Sequence, residues 1–234
     1  MAFWGGGGAT SQVITVPDWR FFCGRECVTV AYWIHLSANN ASVVSFLRQD
    51  LTMISFQNTS SAARSNTWHG TGGTGTVKAS DYAANGAFPT NEWVFNVHSY
   101  RRAGNSTFNY QPSTGAFTNF ANVSWSNPIV TKTTANLKPW VIGGHETSGE
   151  LMRTGDGIAE ISVYPFAVQL QNMHSMVFEP EVWRQRAAFY LSLRAPSGIS
   201  DACGGPRRRI QLGSTSAARF AVGSHPAVPY LGQL

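Results

Sequence analysis

Short runs of β-branched and aromatic residues, broken every few positions by Gly, Asn, Ser, Thr or Pro, fill the chain from Val13 to about Phe178. That punctuation predicts strands at Val13–Val16, Val28–Leu36, Ser42–Arg48, Thr52–Gln57, Gly75–Ala79, Trp93–Tyr100, Thr107–Tyr110, Val123–Trp125, Trp140–Gly143 and Gly157–Tyr164. Strands at this spacing build sandwiches or barrels, because too little sequence separates them for strand–helix–strand crossovers. Within Val28–Leu36 the alternation puts Val28, Val30, Tyr32, Ile34 and Leu36 on one face and Thr29, Ala31, Trp33 and His35 on the other. The expected fold is therefore all-β: a two-sheet antiparallel jelly-roll sandwich over residues 13–178, in a 234-residue chain long enough to bury its own core.

Charge separates the ends from this body. Only 12% of the residues are charged, about half the usual share. Residues 1–179 hold ten Lys/Arg and ten Asp/Glu, so the net +5 sits wholly in residues 180–234, where seven arginines face Glu181 and Asp201. Residues 1–12, with four consecutive glycines, read as a flexible arm. Residues 179–194 fit a short helix with Pro180 in its first turn, although Phe189–Leu193 fits a strand as well. Residues 195–234 read as an extended basic tail suited to an acidic partner surface. No signal peptide is expected from MAFWGGGGATSQ, and no stretch approaches the ~20 apolar residues of a membrane span. Cys23, Cys27 and Cys203 form an odd set best read as reduced thiols, and no cofactor is expected.

Three places carry a family resemblance. They are Val28-Thr-Val-Ala-Tyr-Trp33-Ile, Asn91-Glu-Trp93-Val-Phe-Asn-Val-His, and Trp140-Val-Ile-Gly143-Gly followed by Gly155-Asp-Gly-Ile-Ala-Glu160-Ile-Ser-Val-Tyr164. Over about residues 28–178 the chain resembles the concanavalin A-like lectin/glucanase superfamily, in its laminin-G-like branch. The resemblance implies a two-sheet jelly roll and sugar or protein binding. It also points toward decoration, cement or tail proteins of bacterial viruses.

The chemistry-bearing residues favour binding over catalysis. Glycosidases on this fold need two carboxylates on one strand face, and the candidate strand supplies Glu160 beside Ile158, Ser162 and Tyr164. Asp156 falls before that strand, a weak basis for calcium. Gly70-x-Gly72-x-x-Gly75 lacks a following helix, and His145-Glu146 lacks a second histidine. Trp68 and His69, in a predicted mobile loop over Ser65–Thr76, are candidates for stacking on a sugar or partner, with packing on their own sheet as the alternative. Phe3, Trp4 and Tyr230 are candidate apolar anchors, and Arg207, Arg208 and Arg209 a clamp on an acidic protein surface; the run lacks the companions a nucleic-acid site needs. The reading that follows is a non-catalytic virion structural protein. It would decorate a capsid or tail as a homo-oligomer, partnered by the major capsid protein. A carbohydrate-binding lectin module and a glycoside hydrolase are the alternatives.

Overall fold

The computed structural model describes residues 2–4, 14–16, 27–38, 44–48, 54–58, 63–68, 77–81, 88–101, 104–123, 140–144, 152–191, 211–212 and 220–221. Its strands are β1 (Ala2–Trp4), β2 (Ile14–Val16), β3 (Cys27–His35), β4 (Val44–Arg48), β5 (Ile54–Asn58), β6 (Ala63–Trp68), β7 (Val77–Asp81), β8 (Trp93–Arg101), β9 (Gly104–Gln111), β10 (Ala116–Val123), β11 (Trp140–Ile142), β12 (Gly157–Tyr164), β13 (Phe189–Leu191), β14 (Gln211–Leu212) and β15 (Phe220–Ala221). Helices α1 (Leu170–Phe178) and α2 (Pro180–Arg184) lie between β12 and β13. The first sheet runs β10-β9-β8-β3-β12-β1-β15, with β13 also beside β12, and the second runs β14-β2-β11-β4-β5-β6-β7. Every described pairing is antiparallel. At one edge β7 of the second sheet runs against β9 and β10 of the first. The all-β class holds.

Composition explains the centre of the first sheet. β3 is buried on both faces, so its two alternating sets each meet a core. Val28, Val30, Tyr32 and Ile34 lie on the inner face, and register adds Val94 opposite Ile34 and Ile158 beside it. Ala31 and Trp33 belong to an outer cluster with Phe95, Phe108, Tyr110, Met173, Met176 and Trp183, which packs the sheet beneath α1 and α2. The β9–β10 hairpin closes through Gly115, whose φ of 68° suits a residue without Cβ.

β12 departs from strict alternation. Ala159 pairs with Trp33 and Ser162 with Ala31, leaving Glu160 and Ile161 opposite Tyr32 as a β-bulge. Glu160 takes a left-handed φ of 48°, a conformation costing a side-chain-bearing residue about 1–2 kcal/mol. The bulge turns Ile158 to the inner face with Ile34, while Ser162 and Tyr164 stay outside with Ala31 and Thr29. The single face expected for Ile158, Glu160, Ser162 and Tyr164 is therefore split.

Other expectations need correction at the ends. Ala2–Trp4 is a strand rather than a free arm, paired between β12 and β15. The predicted sandwich limit at 178 is too early, since β13 adds Phe189, Tyr190 and Leu191 beside Val163, Ser162 and Ile161. Residues 179–194 do not form one helix: α2 ends at Arg184, and the chain returns to the sheet as β13. The helix α1 lies before that segment, where none was expected. In the tail, Gln211–Leu212 pairs with β2 and Phe220–Ala221 with β1. The described parts of the tail thus pair with the chain's own sheets, where an extended tail suited to a partner surface was expected. Of the predicted strand Val123–Trp125, Val123 is the last residue of β10 and the other two lie outside the described residues.

Candidate functional site

The outer face of the first sheet is laid down in rows by its register. Phe95, Tyr110 and Phe117 form one row and Val97, Phe108 and Asn119 the next. Ser99 and then Arg101 continue β8 beyond them on the same face. α1 lies over β9 and β10. Its buried face presents Met173, Met176 and Val177, at the i, i+3, i+4 spacing of a helix that packs on one side. Leu170, His174 and Phe178 follow one another at i, i+4 along the flank toward β10.

The helix does not cover the sheet completely. At its start a cleft of about 350 Å³ opens between Ser99, Arg101, Phe108 and Asn119 of the sheet and Ala167, Val168, Gln169 and Leu170 of the helical side. Phe108 and Val168 are buried, whereas Arg101, Asn119 and Gln169 are exposed. Ser99 is buried, with its hydroxyl oxygen 3.4 Å from that of Thr29. Thr29 in turn donates to the Phe166 carbonyl at 2.8 Å and accepts the Val168 N–H at 3.0 Å. The side chain of Asn172 accepts the Gln169 N–H at 3.3 Å. These bonds tie the strand entering α1 to the sheet, so the cleft walls are held from both sides.

An aromatic shelf continues the cleft along the seam. Phe117 stacks 4.6 Å from Tyr110 and 5.7 Å from His174, and His174 lies 4.5 Å from Phe178. His174 is exposed and Phe117 half-buried. A cleft with hydroxyl, amide and guanidinium groups leading to exposed ring edges can hold a polar ring compound and cover its apolar side.

Glu160 faces a different environment. Arg184 donates to its Oε1 at 3.0 Å, bonds Glu181 as well, and lies 5.0 Å over the Tyr190 ring. Glu160 beside it holds the Arg184 guanidinium protonated, above its ordinary pKa, against the opposing effect of burial. The free volume beside Trp33, Glu160, Ser162 and Trp183 is about 20 Å³, room for a water rather than a sugar ring. This carboxylate fastens α2 over the bulge, and that bond offsets the cost of its backbone.

Asp156 is equally committed. Its Oδ1 accepts from the Ser37 N–H and hydroxyl, both at 2.8 Å, and its Oδ2 from Arg153 N at 3.2 Å and Nε at 3.1 Å. Gly155 before it has a φ of 90°, and a Cβ there would meet Ser37 Cβ at 3.0 Å. The loop is a tether to the end of β3, and both carboxylate oxygens are engaged by protein donors. Among the described residues no group of three or more His, Cys, Asp or Glu is placed to hold a metal.

Trp68 ends β6, paired with Val77, rather than standing in a mobile loop. Phe3 and Trp4 form part of β1. His69, Arg207, Arg208, Arg209 and Tyr230 lie outside the described residues, as do Cys23 and Cys203. Of the predicted site residues that are described, none lines the cleft. Its own members sit on β8, β9, β10 and the approach to α1, and the spacing of Met173, Met176 and Val177 was the sequence signal that would have found the helix.

No protein-family model matches the chain, and no curated protein matches it in sequence. Its fold is similar to solved structures. A Bacteroides ovatus protein proposed to bind carbohydrate aligns with TM-score 0.60 and 11% identity, over 93% of this chain and 61% of that one. Tailspike protein 2 of an Escherichia coli O157:H7 bacteriophage aligns with TM-score 0.55 and 12% identity, over 82% of this chain and 28% of that one. The binding domain of botulinum neurotoxin serotype D aligns with TM-score 0.53 and 11% identity, over 79% and 43%. The chain spans less than two thirds of each of these structures, and identities this low speak for a shared fold alone.

Proposed function

We propose that this protein is a non-catalytic carbohydrate-binding β-sandwich whose site is the β10–α1 seam. The observation that carries the reading is the cleft of about 350 Å³ continued by the shelf of Phe117 and His174. Saccharides offer hydroxyls for Ser99, Asn119, Gln169 and Arg101, and an apolar ring face for the aromatic edges. The one buried carboxylate that resembles a glycosidase residue is bonded to Arg184 in a space too small for substrate. The fold likeness to a protein proposed to bind carbohydrate adds support.

A glycan array with the full chain tests this. Binding to a defined saccharide should fall about tenfold in Asn119→Ala and in Phe117→Ala, each loss of one polar or stacking contact. Trp68→Ala should leave it unchanged. Retention of full affinity by both seam variants, at unchanged thermal stability, would move the site elsewhere.

The fold likeness to a phage tailspike favours a second reading, a virion structural protein of decoration or cement type whose partner is the major capsid protein. The two readings are compatible, since a virion domain can also hold glycan. Because β14 and β15 pair with β2 and β1, deleting residues 195–234 should now lower the stability of the sandwich. A truncated chain of unchanged stability that no longer bound particles would restore the tail as a separate anchor.

A further inference from the structure

We propose that the cleft selects saccharides bearing an acidic group, with Arg101 as the anchor for a carboxylate or sulfate; the inference rests on the carbohydrate reading above and deepens it. Arg101 ends β8, and its register partners are Gly104 on β9 and Cys27 on β3. The β9 partner has no side chain, so space is left beside the guanidinium. Among the described residues Arg101 forms no ion pair. Among the described residues no Asp or Glu lines the cleft, and Arg101 is the one charged wall they provide. Every other polar side chain there is a hydroxyl or a primary amide.

A planar guanidinium with five donors is matched best by an acceptor that takes two of them at once, and carboxylate and sulfate do so. A neutral hydroxyl fills only part of that capacity. The volume falls at the small end of ligand clefts, which suits one or two sugar units, with the rest of a chain running over Phe117 and His174. Arg153 and Arg184 provide the contrast: each already faces a carboxylate, Asp156 and Glu160. Arg186 lies over the Trp183 ring, so among the described arginines of the outer face Arg101 is the one that lines the cleft without a carboxylate partner.

The test is an array of carboxylated, sulfated and neutral oligosaccharides probed with the full chain, followed by titration of an acidic hit and its neutral twin, the methyl ester or desulfated form. The expected result is hits concentrated among acidic glycans and at least tenfold weaker binding of the neutral twin. Arg101→Gln should weaken the acidic hit to near the level of its twin, weaken the twin far less, and remove most of the salt dependence. Arg186→Gln, at an exposed arginine that lies over the Trp183 ring and does not line the cleft, guards against attraction by the net charge of +5. Equal binding of both twins, or equal loss in Arg186→Gln, overturns the acidic selectivity while leaving carbohydrate binding in place. An array with no hits overturns both. Which acidic class binds decides between carboxylate and sulfate.

Discussion

The two faces of the first sheet are closed by different means. Inside, Val28, Val30, Tyr32, Ile34 and Val163 are buried with Phe189 and Leu191, and the polar groups among them are uncharged, such as Asn96 and His98. Outside, a nine-residue and a five-residue helix do the covering. They bury aromatic rings and one carboxylate but leave the seam beside β10 open. A continuous apolar layer leaves no room for ligand. A short helix laid across twisted strands cannot match every row of side chains, and the gap it leaves has polar walls and fixed edges. The inner face carries stability, and the outer face holds the cleft of the proposed binding site.

The comparison breaks most directly at the inner face. Phe189 is fully buried there, on β13. Phe189→Ala should cost about 3–5 kcal/mol, from lost transfer energy and the cavity left behind, as measured by urea unfolding. A cost below 1 kcal/mol would mean that β13 is not part of the core.

A second measurement probes the same face by pH. His98 is buried with its ring nitrogen 2.6 Å from the Tyr32 hydroxyl, and burial lowers its pKa to about 3. The unfolded chain therefore binds a proton between pH 6.5 and 3 that the folded protein refuses. Its contribution to stability is complete above pH 6.5 and is lost as pH falls, by about 1.4 kcal/mol per unit, levelling off near pH 3. In His98→Gln that part of the slope should vanish. A slope unchanged by the substitution would assign it to the carboxylates.

The smallest effect belongs to the outer face. Glu160→Gln leaves Arg184 with a neutral partner in a mostly buried setting, expected to cost about 1–2 kcal/mol. Hydrogen exchange should quicken in α2 and leave β3 and β8 protected, because only the cover loosens. Uniform quickening would show that both faces fail together.

Much of the strand content was legible because runs rich in β-branched and aromatic residues, such as Val28–Leu36 and Trp93–Tyr100, are bounded by turn residues. Two- and three-residue strands such as β1, β13 and β15 carry too few side chains to show a period. β6, Ala-Arg-Ser-Asn-Thr-Trp, hides among polar residues because its signal lies in backbone pairing with β5 and β7. The site was not legible. Ser99, Arg101, Asn119 and Gln169 lie on separate elements, and no local pattern relates them.

From the residues alone came the all-β class, the central strands with their two sets of side chains, and the confinement of excess charge to the last quarter. These follow from local chemistry: β-branched residues suit extended backbone, and alternation reports which side is wet. The tertiary structure decided the bulge at Glu160, the pairing of Ala2–Trp4, Gln211–Leu212 and Phe220–Ala221 with the sheets, and the seam left uncovered beside α1. Each depends on which distant segments meet and how well their surfaces match, and a sequence states that only through the folded whole.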